Sequence, residues 1–170
     1  MTTTSIHHLT ADGVSLVVDV SSGAPIVVHW GAALGGSDLT HVTDITTRAT
    51  PHGLLDATPG RGVKRDASQG FLGRPSLLGH RDGLDWSTKR TIQTVSHNDN
   101  ELVVVSADEN AGIRVTTTFR LGSSGVLDIT KQLTNTGSTN YYLQELGYWL
   151  PLPDRAAESM DFAGRWLTSA

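Results

Sequence analysis

Cysteine is absent from the 170 residues of this chain, which excludes both a disulfide framework and a thiolate metal site. No apolar run approaches the roughly 20 residues that a membrane-spanning helix needs. The N-terminal segment MTTTSIHHLTADG is polar and has no apolar signal core. The chain has 13 Lys and Arg against 17 Asp and Glu, which gives a formal net charge of −4. No basic patch stands out in the sequence. These absences predict a cytoplasmic protein with no membrane or nucleic-acid partner.

Glycine, by contrast, is plentiful at 18 residues, and the hydrophobic fraction is a modest 38%. This balance is typical of a turn-rich β protein rather than a helical one. The length suits one domain, which would bury about 70% of its unfolded surface. We therefore expect an all-β fold with a true core.

The most informative stretch runs from Val126 to Asp154 and predicts two strands joined by a turn. Apolar residues alternate in Val126–Leu133, and Asn135–Ser138 supplies residues that favour a turn. Tyr141–Leu150 is rich in aromatic and aliphatic residues that suit a strand, and the prolines that follow end it. We predict a hairpin between these two strands.

Five further segments alternate in hydrophobicity or carry strand-favouring residues. They are Val14–Val20, Ile26–Trp30, Thr88–Ser96, Leu102–Ala107 and Ile113–Leu121. The first two predict a hairpin, and the last three form a meander with the Val126 strand, a spacing typical of an antiparallel sandwich or barrel. Leu39–Thr50 is a candidate for a short strand, and the tail Arg155–Ala170 for one or two helical turns.

The segment from Pro51 to Trp86 shows neither the helical nor the strand period and predicts a long loop. Loops of this length are usually functional surfaces or segments that order against a partner. Trp86 could stack on a sugar ring, and Arg74 and Arg81 could donate paired hydrogen bonds to a carboxylate or to sugar hydroxyls. Alternatively, the two arginines neutralise the aspartates of the loop itself.

Catalytic and metal-binding motifs are not evident. Asp56, Asp66, Asp82 and Asp85 offer a conceivable carboxylate pair for glycoside hydrolysis, but nothing in their spacing favours one. The alternative is that they cap turns and solvate the loop. The histidines show no HExxH or His-x-His spacing, so we expect no metal ion and no cofactor. Of the histidines, His80 is the one of interest, because Arg81 and Asp82 adjoin it. The sequence therefore yields no catalytic residue.

The order of several short motifs resembles the N-terminal region of bacterial α-galactosidases of glycoside hydrolase family 36, especially the actinobacterial type. The motifs are VHWG (28–31) with LG (34–35), GFLGRPSLLGHRDG (70–83), LTNTG (133–137), YLQELG (142–147), LPLPDRAAE (150–158) and DFAGRW (161–166). The resemblance implies a galactose-mutarotase-like β-supersandwich, followed in the family by a (β/α)8 barrel that carries two catalytic aspartates, and by a C-terminal β domain. No barrel is encoded within these residues.

The resemblance thus implies that residues 1–170 are a single, truncated N-terminal β-sandwich domain, with a possible short C-terminal helix and no catalytic residue. Its parent would be a homo-oligomer that hydrolyses terminal α-galactosides of the melibiose or raffinose type with retention. The domain would pack on its own barrel and lend the 66–86 loop to an active site or an oligomer interface. The candidate residues for substrate or interface contact are Asp66, Phe71, Arg74, His80, Arg81 and Trp86.

Three alternatives remain open at this point. Aldose mutarotases share the supersandwich, and Glu145 or Glu158 could serve as the base of such an enzyme. A free-standing carbohydrate-binding or interaction module is the second alternative. The third is a β domain with no activity of its own.

Overall fold

The computed structural model describes residues 5–21, 25–35 and 74–148, together with the single residues 39, 68, 150, 158 and 160. Every strand pair within these ranges is antiparallel, which confirms the predicted all-β class. The same ranges contain no helix long and apolar enough to cross a membrane. The strands are β1 (Ile6–Ala11), β2 (Val14–Asp19), β3 (Ile26–Ala32), β4 (Leu77–His80), β5 (Thr91–His97), β6 (Glu101–Asp108), β7 (Ile113–Leu121), β8 (Leu127–Asn135) and β9 (Tyr142–Leu146).

One sheet has the order β1-β2-β3 and confirms the predicted hairpin of β2 and β3. β1 was not predicted, because histidines stand where aliphatic residues would signal a strand. Nevertheless, His7 and Leu9 are buried, which is the period-two pattern of a half-buried strand. Asp12 and Gly13 have φ angles of 44° and 73°, so they make the tight left-handed turn that joins β1 to β2.

A second sheet is the predicted meander, with the order β5-β6-β7-β8. Burial alternates residue by residue along β6, and every second residue of β7 is buried. These strands therefore turn one face to the core and the other outward.

The two sheets pack face to face as a sandwich. Leu9, Leu16 and Val18 of the three-stranded sheet share one buried cluster with Leu102 and Phe119 of the meander. Phe119 is completely buried, and burial of such a side chain stabilises a fold by about 1.5–3 kcal/mol. The core therefore joins segments more than 100 residues apart.

A third, two-stranded sheet corrects the prediction for the Val126–Asp154 stretch. β9 pairs with β4 and not with β8, so the expected hairpin is wrong. β9 diverges from β8 because Leu146 and Tyr141 pack on a second core of Leu77, Ala111 and Ile113. β9 also ends at Leu146, earlier than predicted.

The long loop predicted from Pro51 to Trp86 is interrupted by β4 at Leu77–His80, so that part of the prediction is wrong. A strand of four residues is too short to show a period in sequence. The predicted strand in Leu39–Thr50 and the predicted C-terminal helical turns lie outside the described residues, apart from isolated positions.

Candidate functional site

Four of the six candidate residues gather around β4. Arg74 precedes the strand, His80 ends it, Arg81 begins the turn that follows, and Trp86 lies just beyond that turn. Asp66 and Phe71 lie outside the described residues. The site is therefore built on β4, on its partner β9, and on the turn after β4.

The turn after β4 is a tight two-residue reversal. The amide of Arg81 donates to the carbonyl of Leu84 at 2.8 Å, and the amide of Leu84 donates back at 2.9 Å. Asp82 and Gly83 have φ angles of 51° and 83°, as a type I′ turn requires, and Asp-Gly is a favoured pair for it. The turn leaves Leu84 70% exposed and is followed by Trp86, which is 66% exposed.

Arg81 fixes this turn to the rest of the domain. Its Nη1 donates to the carbonyl and hydroxyl of Thr139, the hydroxyl at 3.0 Å. Its Nη2 donates to the carbonyl of Ala111 and to Oδ1 of Asn135, both at 2.9 Å. The guanidinium carbon also lies 5.7 Å from the centre of the Tyr141 ring. Arg81 therefore links the β4 turn to the loop before β7 and to the loop after β8.

Arg74 forms an ion pair with Glu145 of β9, from its Nε to the Oε2 of the carboxylate. The arginine side chain is 67% exposed and that of the glutamate 27%. Glu145 is the register partner of Leu78, so the ion pair lies at the edge of the two-stranded sheet. Glu145, a candidate base in the mutarotase alternative, is therefore paired with the guanidinium of Arg74.

His80 stacks on its cross-strand neighbour Tyr142, with ring centroids 5.4 Å apart and ring planes 28° apart. Its Nδ1 accepts a hydrogen bond from the amide of Gly83 at 3.1 Å. Both contacts fix the orientation of the imidazole. The result is a stacked aromatic pair at the end of β4.

Large exposed apolar side chains occur on β9 and in the segments next to β4 and β9. We call the following set, defined by its exposure, the aromatic face: Leu84, Trp86, Tyr142, Leu143 and Tyr148, each about half exposed or more. Exposed apolar groups mark contact surfaces for proteins or ligands where they form a contiguous patch. Within the described ranges, no group of three or more His, Asp or Glu residues is placed to hold a metal ion. What the arrangement offers chemically is stacking and apolar contact, with an ion pair beside it.

Tyr141 lies on the inner side of the same sheet. Burial raises the pKa of its phenol, and the positive charges of Arg90 and Arg81 oppose that shift. Its hydroxyl has no hydrogen-bond partner among the residues that the structure describes. This side chain packs and does not take part in the exposed surface.

Trp86 and His80 are candidates from the sequence, whereas Tyr142 and Leu143 belong to the predicted hairpin and were expected to face other sheet surface. A strand with apolar residues on both faces indicates either burial or a contact surface, and the pairing of β9 with β4 decides between them. That pairing joins residues about 65 positions apart and leaves no local signal.

Comparison with known proteins places these features in a family. The model of the "Glycosyl hydrolase family 36 N-terminal domain" matches residues 23–168. The α-galactosidase of Escherichia coli is 31% identical over 140 residues, which cover 82% of this chain and 20% of that enzyme. The chain therefore spans about a fifth of that relative's length.

Two solved structures share the fold. The GH36 α-galactosidase AgaB from Geobacillus stearothermophilus superposes with a TM-score of 0.64 at 16% identity, over 86% of this chain and 23% of that one. The A355E variant of the GH36 α-galactosidase AgaA from the same organism, in complex with 1-deoxygalactonojirimycin, superposes with a TM-score of 0.58 at 15% identity. The match covers 83% of this chain and 23% of that one. At these identities the likeness is one of fold.

Proposed function

This chain belongs to the glycosyl hydrolase family 36 N-terminal domains, and we propose that it is the non-catalytic N-terminal domain of an α-galactosidase. The observation that carries the proposal is the family match over residues 23–168. The likeness to the E. coli α-galactosidase supports it. The two catalytic carboxylates would lie on a barrel outside these residues and would hydrolyse terminal α-galactosides of the melibiose or raffinose type with retention.

The aromatic face is the surface that we assign to contact with that barrel or with a neighbouring subunit of a homo-oligomer. Its five apolar side chains are each about half exposed or more, and contact with a partner would bury them. Arg81 holds the β4 turn rigidly, so Trp86 beyond it is presented at a fixed place. Trp86, His80 and Arg74 would border the active site or the subunit interface there. The cytoplasmic location expected from the sequence stays a prediction.

Catalysis is tested by comparing the 170-residue chain with the longer protein that contains it together with a barrel. We expect the chain alone to release no nitrophenol from p-nitrophenyl α-galactoside, and the longer protein to release it. NMR of the galactose that is formed first should show the α anomer, which means that the anomeric configuration is retained. Turnover by the chain alone would contradict the proposal, as would a longer protein without a barrel.

The role of the aromatic face is tested in the longer protein by Trp86→Ala. We expect weaker subunit association in sedimentation, or a higher KM for raffinose, because the indole would be removed from the contact. Val126→Ala is the matched control, since Val126 is 65% exposed and lies outside the aromatic face. Equal behaviour of the two variants would remove Trp86 from the proposed contact.

A free-standing carbohydrate-binding module is the second candidate, and the exposed indole of Trp86 favours it. Titration of the isolated chain with galactose and with raffinose, followed by tryptophan fluorescence, separates the two functions. A saturable change that Trp86→Leu abolishes would favour the module. A response that stays flat to high sugar concentration favours a domain that depends on its barrel.

The mutarotase alternative is checked by polarimetry on fresh α-galactose. Glu145 pairs with Arg74 and Glu158 is exposed, and neither placement by itself makes a base. Interconversion faster than in buffer, lost in Glu145→Gln or Glu158→Gln, would establish that activity. A rate equal to buffer removes it.

A further inference from the structure

Two histidines meet where the two large sheets come together. His7 lies on β1, at the edge of the three-stranded sheet, and His97 ends β5, at the edge of the meander. Their Nδ1 atoms are 3.4 Å apart, and the rings are edge to face at 87° with centroids 5.2 Å apart. The contact therefore joins strands of two different sheets, between residues that are 90 positions apart in the sequence.

The two imidazoles differ in their surroundings. His7 is only 9% exposed, and its Nε2 is buried without a hydrogen-bond partner among the described residues. His97 is exposed to solvent. Only Nδ1 of His7 therefore faces a partner, and that partner is another imidazole.

The pair tolerates one proton but not two. With one ring neutral, its Nδ1 lone pair can accept from the N–H of the other ring, and this holds even when the exposed His97 is charged. When His97 is already charged, a proton on His7 would place two N–H groups against each other. It would also bury a charged ring, which is costly. Burial first, and then the charge of His97, lowers the pKa of His7 below its ordinary value.

The neighbouring strands supply imidazoles, and among the residues that the structure describes no carboxylate shifts the pKa of His7. His8, the next residue of β1, bonds through Nε2 to the hydroxyl of Ser15 of β2 at 2.8 Å. Burial, followed by the charges of His29 on β3 and of His97, lowers the pKa of His8 as well. Both shifts therefore act in the same direction.

The carboxylates of the adjoining strands are engaged elsewhere. Asp19 of β2 is the register partner of Ile6 and accepts from the amide of Ser21 at 2.7 Å. Glu101 of β6 pairs with Arg120 of β7. No anion on these strands therefore offsets a charge on His7.

We propose that the His7–His97 contact is a pH-sensitive latch between the two sheets, closed while His7 is neutral and released when His7 takes up a proton. The unfolded chain binds a proton on His7 below about pH 6.5, whereas the folded chain resists it. The stabilisation is therefore complete above that pH and is lost as pH falls through the lowered value. This latch is independent of the proposed α-galactosidase role.

The test is urea unfolding of the 170-residue chain between about pH 7.5 and about pH 5. Below about pH 6.5, the unfolding equilibrium constant should rise more steeply in wild type than in His7→Phe. The difference should reach up to about tenfold for each pH unit. The phenylalanine fills the same site without a titrating group. His29→Gln is the matched control, because it removes a histidine outside the contact, and it should keep most of the wild-type slope. A wild-type slope in His7→Phe would overturn the latch.

Two further measurements keep the proposal testable if His7→Phe does not fold. In wild type, the imidazole C–H resonances followed by NMR should show His7 titrating below its ordinary range, and titration at or above pH 6.5 would overturn the proposal. In His97→Gln, the amide oxygen can accept from a protonated His7 without carrying charge. The loss of stability at acid pH should then be smaller than in wild type. An equal loss of stability in the two proteins would contradict a role for His97.

Discussion

The ring of Tyr141 lies against the α carbon of Gly79 and fills the space that any larger residue would need. A Cβ built on Gly79 would lie 2.5 Å from Cε1 of Tyr141 and 2.8 Å from the carbonyl oxygen of Tyr142. The ring could rotate away, but the backbone oxygen could not. This close packing brings β4 and β9 together and so builds the sheet that carries the candidate site.

Gly79→Ala should therefore destabilise the chain by about 1–3 kcal/mol, the usual cost of overpacking. Urea unfolding followed by circular dichroism measures it. Gly35→Ala is the control, since a Cβ there meets nothing within 4 Å and should change stability far less. Equal effects of the two substitutions would mean that β4 and β9 are not packed as described.

Arg81→Met should cost about 2–3 kcal/mol, because all the hydrogen bonds from one cation to two loops are lost together. Arg81→Lys should recover only part of this, since a lysine cannot present a planar fork of donors. Arg114→Met, at an exposed position of β7, should stay within about 0.5 kcal/mol of wild type. Full rescue by lysine would show that charge alone, and not the fork, fixes the turn.

Phe119→Ala should cost about 3–5 kcal/mol, because it opens a cavity between the two large sheets. Val126→Ala, which removes an exposed side chain, should cost less than about 0.5 kcal/mol. Thermal unfolding of both variants gives the comparison. A small loss for Phe119→Ala would argue that the sheets do not share this core.

The ion pair of Arg74 and Glu145 should contribute little to stability, about 0–1 kcal/mol, because the arginine is mostly exposed. A double-mutant cycle with Arg74→Ala and Glu145→Gln isolates the coupling energy from the other contacts of Arg74. We expect the coupling to fall when salt is raised toward about 1 M. A coupling well above 1 kcal/mol that persists in salt would assign the pair a structural role.

Tyr141 should limit stability at alkaline pH. Burial raises the pKa of the phenol, so its contribution is complete below about pH 10 and is lost as pH rises through the raised value. Tyr141→Phe should flatten the alkaline limb of the stability profile. It should cost little near neutrality, since the hydroxyl has no partner among the described residues. Tyr148→Phe is the matched exposed control, and an equal change in both variants would contradict the assignment.

The meander could be predicted because its signals are local. β7 alternates in hydrophobicity from Ile113 to Leu121, the other strands carry residues that favour strands, and short turns join neighbours in sequence. The same reasoning found the hairpin of β2 and β3. It failed for β1, where His7 occupies a buried position that an aliphatic residue would normally fill.

The candidate site was predicted only in part for a related reason. Trp86, His80, Arg74 and Arg81 stand out by residue type, but their arrangement depends on β4, which has four residues and no readable period. The partner of β9 was predicted wrongly because proximity in sequence favoured β8. The packing of Tyr141 over Gly79 decided otherwise.

By itself, the sequence determined the all-β class, the strands of the meander and the family, because alternation, turn residues and motif order are written along the chain. Only the tertiary structure decided that β9 crosses to β4, that Arg81 ties three loops together, and that two histidines meet between the sheets. These features depend on contacts between distant residues, whose free energy comes from packing and desolvation that no short segment encodes.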